Sequence, residues 1–94
     1  MSVRYLASFA IVAGRREETL LVPDGTTLKE LLTKLVERHG PSLEKEIFNS
    51  RAKEIKPHVL VLVNGRSVNQ LADKLNTKIS YGDSVILTLP TSGG

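Results

Sequence analysis

The sequence predicts an α+β domain in which one main helix packs across a single mixed sheet. One segment has the apolar period of an amphipathic helix, and short runs rich in β-branched residues lie on both sides of it. Glycine-containing turns separate these segments. Because one helix covers only one face of a sheet, a two-layer arrangement is the economical solution.

The N-terminal segment is predicted to be a strand over Val3–Ile11, since apolar residues recur at every second position. The residues on that face are Val3, Tyr5, Ala7, Phe9 and Ile11. The stretch Ala13–Arg16 has turn chemistry, and Glu17–Val22 resumes a strand-like pattern. The first part of the chain is therefore expected to form a β-hairpin.

The main helix is predicted to begin at Thr27, after the turn Pro23–Gly25. Thr27 and Glu30 have the spacing of a capping box, in which each side chain accepts a hydrogen bond from the other residue's backbone N–H. The apolar residues that follow fall on one helical stripe: Leu28, Leu31, Leu32, Leu35 and Val36. Gly40 and Pro41 are expected to end the helix with a left-handed stop.

A second, shorter helix is predicted over Ser42–Asn49, with Leu43, Ile47 and Phe48 facing inward. The polar stretch Ser50–Lys56 is expected to be a loop.

The C-terminal half is predicted to contain the remaining strands. Val59–Val63 is an apolar run that ends at Asn64-Gly65, the strongest short hairpin signal. Val68–Leu75 is predicted to be a short strand followed by one helical turn. A turn at Tyr81–Asp83 then leads into a last strand over Val85–Leu89.

The last predicted strand is apolar on both faces, which indicates a central position in the sheet. A right-handed crossover from the first hairpin would place later strands beside the first one. This architecture is the β-grasp, or ubiquitin-like, fold.

Composition excludes several classes of protein. The 94 residues carry a net charge of +3, but lysines and arginines are mixed with acids, and the chain has two Phe, two Tyr and no Trp. Direct nucleic-acid binding is therefore not expected. With no run of about 20 apolar residues and no signal-peptide layout, we expect a cytoplasmic protein that does not bind membranes.

The titratable residues form no catalytic or metal-binding pattern. The chain has no cysteine and two histidines, too few for a zinc site. His39 is predicted to have a structural role at a helix C-terminus, and His58 to lie on the surface. The pair Glu17–Glu18, together with Glu44 and Glu46, is interpreted as solvated charge. We therefore expect neither enzymatic activity nor a bound cofactor.

The residues after the last predicted strand suggest a function. Residues 1–89 are expected to form the domain, and residues 90–94 (Pro90, Thr91, Ser92, Gly93 and Gly94) a flexible tail that reaches at most roughly 17 Å. A tip without side chains fits a narrow enzyme cavity, where its carboxylate can attack a nucleotide α-phosphorus and form an acyl-adenylate. The alternative is a binding module with an inert, frayed terminus.

Several segments in order resemble the small subunit of molybdopterin synthase, the MoaD family. They are V-R-Y-L-A-S-F-A-I-V-A-G-R-R-E-E at 3–18, L-V-N-G-R at 62–66, G-D-S-V at 82–85 and the Pro-x-x-Gly-Gly ending at 90–94. Thiamine sulfur carriers, the ubiquitin-related modifier and small archaeal modifier proteins are similar in fold and ending.

The resemblance implies a non-catalytic sulfur carrier or protein modifier. A ubiquitin-activating-type adenylyltransferase would use ATP to adenylate Gly94. Sulfur transfer would give a thiocarboxylate that serves the molybdopterin synthase large subunit or a tRNA thiolation enzyme, whereas a modifier would be joined to lysines of target proteins. Threading into the activating enzyme would involve Pro90, Thr91 and Ser92, with Gly93 and Gly94 at the reaction site.

An apolar surface beside the tail is expected to dock the activating enzyme. The candidate residues are Leu60, Leu62, Ile86 and Thr88, provided that they lie on the sheet face away from the helix. Alternating apolar residues on both faces of these strands leave that orientation open.

Overall fold

A five-stranded mixed sheet forms the centre of the fold in the computed structural model, which describes residues 1–49 and 54–89. The strands are β1 (Ser2–Tyr5), β2 (Glu17–Thr19), β3 (Leu60–Val63), β4 (Arg66–Ser67) and β5 (Ser84–Thr88). Their order is β2-β1-β5-β3-β4, with β5 parallel to β1 and antiparallel to β3. The predicted mixed sheet with a central last strand is confirmed, and the arrangement is the β-grasp fold.

Helix α2 (Leu28–His39) packs across one face of this sheet and confirms the main predicted helix. The Thr27 side chain accepts from the Glu30 backbone N–H at 3.2 Å, and the Glu30 carboxylate accepts from the Thr27 backbone N–H at 3.0 Å. Both halves of the capping box are therefore present. The helix ends at Gly40, whose φ of +91° is a conformation that favours glycine.

The core lies between α2 and the inner face of the sheet. The four leucines of the α2 stripe have no exposed surface, and each contributes about 1.5–3 kcal/mol through burial. Their partners on the inner sheet face are Val3, Tyr5, Val61, Val85 and Leu87. Helix α3 (Pro41–Ile47) closes one end of the core and, as predicted, buries Leu43 and Ile47, with Phe48 half-buried.

The prediction of a strand over Val3–Ile11 is wrong beyond Tyr5. The chain turns at Ala7, where φ is +56° and ψ is −139°, and then forms helix α1 (Ser8–Ala13). Phe9 is fully buried, whereas Ile11 is 82% exposed instead of sharing its face. The apolar positions also fit a helix because Phe9, Val12 and Ala13 fall at i, i+3 and i+4, and this second pattern is the one that the tertiary packing selects.

Gly14 correspondingly ends a helix and is not the turn of a tight hairpin. It has φ +74° and ψ +16°, and its N–H donates to the carbonyls of Ala10 and Ile11. This is the left-handed C-cap for which glycine is preferred. Strands β1 and β2 still pair antiparallel, and α1 forms part of the connection between them in the sequence.

The second hairpin forms where Asn64-Gly65 predicted it. Asn64 and Gly65 have φ values of +52° and +85°, the sign that a type I′ turn requires at both positions, and they connect β3 to β4. The strand predicted from Val68 is wrong, because Val68–Gln70 is a 3₁₀ turn that the Ser67 side chain caps. A second 3₁₀ turn at Lys74–Asn76 provides the predicted helical turn.

Ala7 stores backbone strain that a substitution can release. Its φ of +56° with ψ of −139° is a region that costs a residue with a Cβ atom about 1–3 kcal/mol. Because glycine loses roughly 0.5–1 kcal/mol more on ordering, we predict that Ala7→Gly raises the free energy of unfolding by about 1 kcal/mol. Urea denaturation measures this difference.

Ala10→Gly is the matched control, since Ala10 lies inside α1. We expect this control to lower the free energy of unfolding by about 1 kcal/mol. Equal destabilisation by both substitutions would show that Ala7 is not strained.

Candidate functional site

The end of β5 is held on both sides. Val85, Ile86 and Leu87 pair with β1 and β3 at once, and Thr88 is aligned with Leu60 of β3. The Leu6 N–H donates to the Leu87 carbonyl at 2.9 Å, which extends the pairing with the chain that follows β1. The strand is thus fixed up to its last residue. The tail-threading and activation residues predicted at 90–94 lie outside the described residues.

All four residues predicted to dock a partner lie on the outer face of the sheet, which we define as the face away from α2. They alternate with the buried residues of β3 and β5. They also form two cross-strand pairs, Leu60 with Thr88 and Leu62 with Ile86. The structure thus resolves the orientation that the sequence left open, and we call these four residues the outer apolar strip.

Polar side chains border the outer apolar strip. Arg4 of β1 is aligned with Ile86, and its guanidinium lies 3.9 Å from the carboxylate of Glu17 on β2. Both side chains are more than half exposed, so this pair contributes little stability. On the other side, Ser67 of β4 is aligned with Leu62. The outer apolar strip is thus a half-buried apolar surface with polar residues on both sides.

Two kinds of site are not found among the described residues. In residues 1–49 and 54–89, no group of three or more His, Cys, Asp or Glu side chains could hold a metal ion. Over the same residues, no helix has both the length and the apolar character needed to cross a membrane.

Beside two larger clefts of about 550 and 510 Å³ among the described residues, a groove of about 250 Å³ between α2 and α3 is an alternative site. Its lining includes the apolar residues Val36 and Phe48 and the charged residues Lys29, Glu44 and Lys45. This volume is just below the range of about 300–1,000 Å³ that is usual for small-molecule sites. The groove also lies on the helical side of the sheet, away from the outer apolar strip.

Glu18 is buried, so the prediction that the Glu17–Glu18 pair is solvated is wrong for this residue. It is only 5% exposed. Its Oε2 accepts a hydrogen bond from the Tyr5 hydroxyl at 2.6 Å and lies 2.6 Å from Nε2 of His39. The guanidinium of Arg38 lies 3.0 Å from Oε1 without hydrogen-bond geometry. Neighbouring strand residues face opposite sides, and this alternation was the signal that could have separated the two glutamates.

This cluster explains the direction of two pKa shifts. Burial alone would raise the pKa of Glu18, but the hydrogen bonds with Tyr5 and His39 and the nearby charges outweigh it and lower the pKa. Burial, followed by the bond to Glu18, raises the pKa of Tyr5 far above its ordinary value. His39 joins the C-terminal end of α2 to β1 and β2, as its predicted structural role requires. The cluster fastens the helix to the sheet edge.

His58 and Glu44 are exposed, as predicted, while Glu46 is half-buried. The Glu46 carboxylate accepts a hydrogen bond from the Ser8 hydroxyl at 3.3 Å, which links α1 to α3.

Comparison with known proteins gives a consistent set of matches. The model of the ThiS family matches residues 3–94. The chain is 33% identical to small archaeal modifier protein 3 from Haloferax volcanii, over 100% of this chain and 98% of the other. The crystal structure of SAMP1 from Haloferax volcanii superposes with a TM-score of 0.80 and 33% identity, covering 99% of this chain and 97% of that one. A putative molybdopterin converting factor, subunit 1, from Pyrococcus furiosus has a TM-score of 0.74 and 27% identity, covering 96% and 95%.

We call Glu18 and its neighbours Tyr5, Arg38 and His39 the Glu18 cluster, and we predict that its contribution to stability depends on pH. Tyr5→Phe removes a hydrogen bond to a buried carboxylate, so we expect the free energy of unfolding to fall by about 1.5–3 kcal/mol at neutral pH. Because the pKa of Glu18 is lowered in the folded state, its contribution is complete above its ordinary pKa of 4.5. As pH falls through the lowered pKa of Glu18, the difference in the free energy of unfolding between the variant and the parent should become smaller. Urea denaturation at a series of pH values measures both effects.

Tyr81→Phe is the control, because Tyr81 is 78% exposed. It should change the free energy of unfolding by less than about 0.5 kcal/mol at every pH. A Tyr5→Phe variant that behaves like this control would show that the buried bond does not stabilise the fold.

Proposed function

Because this chain belongs to the ThiS family, we propose that it is a ubiquitin-like carrier or modifier whose Gly94 carboxylate an ATP-dependent enzyme activates. The family match over residues 3–94 and the relative with 33% identity confirm the resemblance seen in the sequence. The relatives are small modifier and carrier proteins, and we infer that this chain is likewise a substrate of its activating enzyme and not an enzyme.

The central, doubly paired β5 is the observation that carries the proposal. It is paired with β1 up to Leu87 and with β3 up to Thr88, and Leu89 packs partly against the core. Five residues follow in the sequence, and we assign them as the tail of a domain spanning 1–89. Fully extended, five residues span roughly 17 Å, which is enough to reach into the active site of a docked enzyme.

The proposed activation requires two things from this chain: a terminal carboxylate, and residues before it that are small enough to enter the active site of the enzyme. An α-carboxylate is ionised at neutral pH, with a pKa of about 3.5. One of its oxygens attacks the α-phosphorus of ATP, pyrophosphate leaves, and Gly94 becomes the acyl group of a mixed anhydride with AMP. Gly93 and Gly94 add no side chain that would hinder entry, and Pro90, Thr91 and Ser92 connect them to the domain.

The activated end has two chemical fates. The outer sulfur of a donor persulfide can attack the Gly94 carbonyl and release AMP, and a thiol then attacks the resulting acyl disulfide to form a disulfide with the donor. This leaves a thiocarboxylate for a molybdopterin synthase large subunit or a tRNA thiolation enzyme. Alternatively, the amine of a target lysine attacks the same carbonyl and forms an amide. Both fates share the adenylation step, and we place them in the cytoplasm, where ATP is available.

We assign the outer apolar strip as the docking surface for the activating enzyme. The strip lies on β3 and β5, and β5 leads directly into the tail. An enzyme that covers these residues would hold the domain with the tail directed toward its nucleotide. ATP itself would bind to that enzyme, since this chain has no phosphate-binding glycine-rich motif.

The first prediction for this function concerns the tail. With the cognate activating enzyme, ATP and labelled pyrophosphate, the full chain should support pyrophosphate exchange, and deletion of Gly94 should abolish it. Ser92→Ala keeps both glycines and should retain most of the exchange. Undiminished exchange after the deletion would instead favour a binding module with an inert terminus.

Intact-mass analysis of the protein from its native cells separates the two fates. Replacement of one terminal oxygen by sulfur identifies a carrier, whereas conjugates that hold Gly94 on a lysine identify a modifier. An unmodified terminus under every condition in which the partners are expressed would contradict both.

The second prediction concerns the docking surface. Ile86→Glu places a charge in the middle of the outer apolar strip, and we expect it to raise the KM of the exchange reaction for this chain about tenfold or more. Thr19→Glu is the control, because Thr19 is exposed on the edge strand β2. Equal effects of the two substitutions would show that the strip does not dock the enzyme. Thermal unfolding of both variants shows whether either loses its fold.

A further inference from the structure

Strand β2 (Glu17–Thr19) lies at an edge of the sheet, with β1 as its neighbour on one side. No strand of residues 1–49 and 54–89 lies on its other side, because the strand order begins with β2. The N–H and C=O groups along such an edge can pair with a further strand. The Leu20 N–H donates to the Met1 carbonyl at 2.9 Å, so the extended pairing with β1 continues one residue beyond β2.

The outward backbone groups of β2 can be assigned from its hydrogen bonds with β1. The carbonyl of Arg16, just before β2, accepts from the Tyr5 N–H at 2.8 Å, and Leu20 also bonds in that direction. The direction of hydrogen bonding alternates along an antiparallel strand, so the N–H and C=O groups of Glu17 and Thr19 point away from β1. These two residues present two donors and two acceptors, about 7 Å apart, to a further strand.

A cleft of about 510 Å³ lies between this edge and α2. Its lining comes from both elements: Thr19, Leu20, Leu21, Lys34, Glu37 and Arg38. Leu21 is 83% exposed, whereas Leu20 is buried in the core. Because side chains alternate along an extended chain, Thr19 and Leu21 lie on the outer side of the edge. The cleft therefore leaves room for an added strand, with an exposed apolar residue beside it.

Basic residues prevail on the α2 side of the cleft. Lys34 and Arg38 outnumber Glu37, and all three residues are exposed. Arg38 lies 3.0 Å from a buried carboxylate of β2, whereas Lys34 forms no ion pair within residues 1–49 and 54–89. On the outer side, the charge of Glu17 is offset by Arg4, which lies 3.9 Å away. An acidic side chain that enters the cleft would therefore meet a cation, and a basic one would be repelled.

We propose that β2 is the site at which a partner protein adds an extended segment to the sheet. The backbone of the segment pairs with the outward groups of Glu17 and Thr19, which is the recognition mode called β-augmentation. Its side chains alternate, with apolar, β-branched ones beside Thr19 and Leu21 on the outer side and acidic ones toward Lys34 in the cleft. The occupant is thus a strand of alternating apolar and acidic residues that another protein supplies.

This inference goes beyond the proposed function, because binding at β2 requires neither Gly94 nor the activating enzyme. A chain that lacks Gly94 should therefore bind the segment as the parent does. The two proposals can consequently fail independently of each other.

The probe is a seven-residue peptide of alternating valine and aspartate, acetylated and amidated at its ends. It is titrated into the ¹⁵N-labelled full chain, and the exchange of backbone amides with solvent is followed by NMR. We expect a dissociation constant below about 1 mM. At about ten times this constant, the amides of Glu17 and Thr19 should exchange about tenfold more slowly, because they become donors to the added strand. The Glu18 amide faces β1 and should change little.

Peptides methylated on alternate backbone nitrogens are the matched controls for the peptide. An added strand directs the N–H groups of one alternate set toward β2 and those of the other set toward solvent. Methylation of all the valines or of all the aspartates should therefore abolish binding, and methylation of the other set should leave it nearly unchanged. Equal effects of the two methylated peptides would show that no strand is added, which overturns the proposal.

Lys34→Glu tests the charge in the cleft, with Lys29→Glu as the matched control on the same helix. Lys29 lines the groove between α2 and α3 and not this cleft. At about 0.15 M salt, Lys34→Glu should raise the dissociation constant of the peptide about fivefold or more, and Lys29→Glu by less than about twofold. Thermal unfolding midpoints equal to that of the parent would exclude loss of folding as the cause.

Two further results would overturn the inference. If the peptide leaves the exchange of the Glu17 and Thr19 amides unchanged at about 10 mM, the edge does not accept a strand of this chemistry. If the same amides become protected in the free chain as its own concentration rises, a second copy occupies the edge and the assignment to a partner protein is wrong. Pyrophosphate exchange that is lost on deletion of Gly94 would leave the proposed function standing in either case.

Discussion

The pairing of β5 with β1 on one side and β3 on the other is the constraint on which the rest of the structure depends. It brings the first and last strands of the chain together and makes the sheet mixed. It fixes the register that places Leu62 beside Ile86 on the outer face. Because β1 and β5 are parallel, helix α1, which follows β1, begins at the same end of the sheet as the C-terminal end of β5. The outer apolar strip and the last described strand are consequently set by one pairing.

The opposite face of the sheet gives this element its rigidity. The α2 leucines fill the space above the inner strands, and the Glu18 cluster ties the C-terminal end of the helix to β1 and β2. A buried carboxylate is costly unless its charge is compensated, and here Tyr5, His39 and Arg38 surround it. The polar residues of this cluster thus have a structural role.

Sequence reasoning succeeded where the signal is local and failed where distant residues decide. The capping box of α2, the Asn64-Gly65 turn and the central last strand follow from patterns contained within a few residues. The segment at 8–13 fits a strand or a helix equally well, and only the burial of Phe9 together with the exposure of Ile11 distinguishes them. Glu18 is buried because of partners about twenty residues away. The sequence left the orientation of the outer apolar strip open, and the burial of alternate residues in β3 and β5 decides it. The docking role of the strip is still a prediction.

The most direct test of the central claim is a crystal structure of this chain bound to its activating enzyme and a non-hydrolysable ATP analogue. The account predicts that the Gly94 carboxylate lies about 3–3.5 Å from the α-phosphorus, with the outer apolar strip covered by the enzyme. A complex in which the enzyme covers the groove between α2 and α3, with Gly94 remote from the nucleotide, would contradict it.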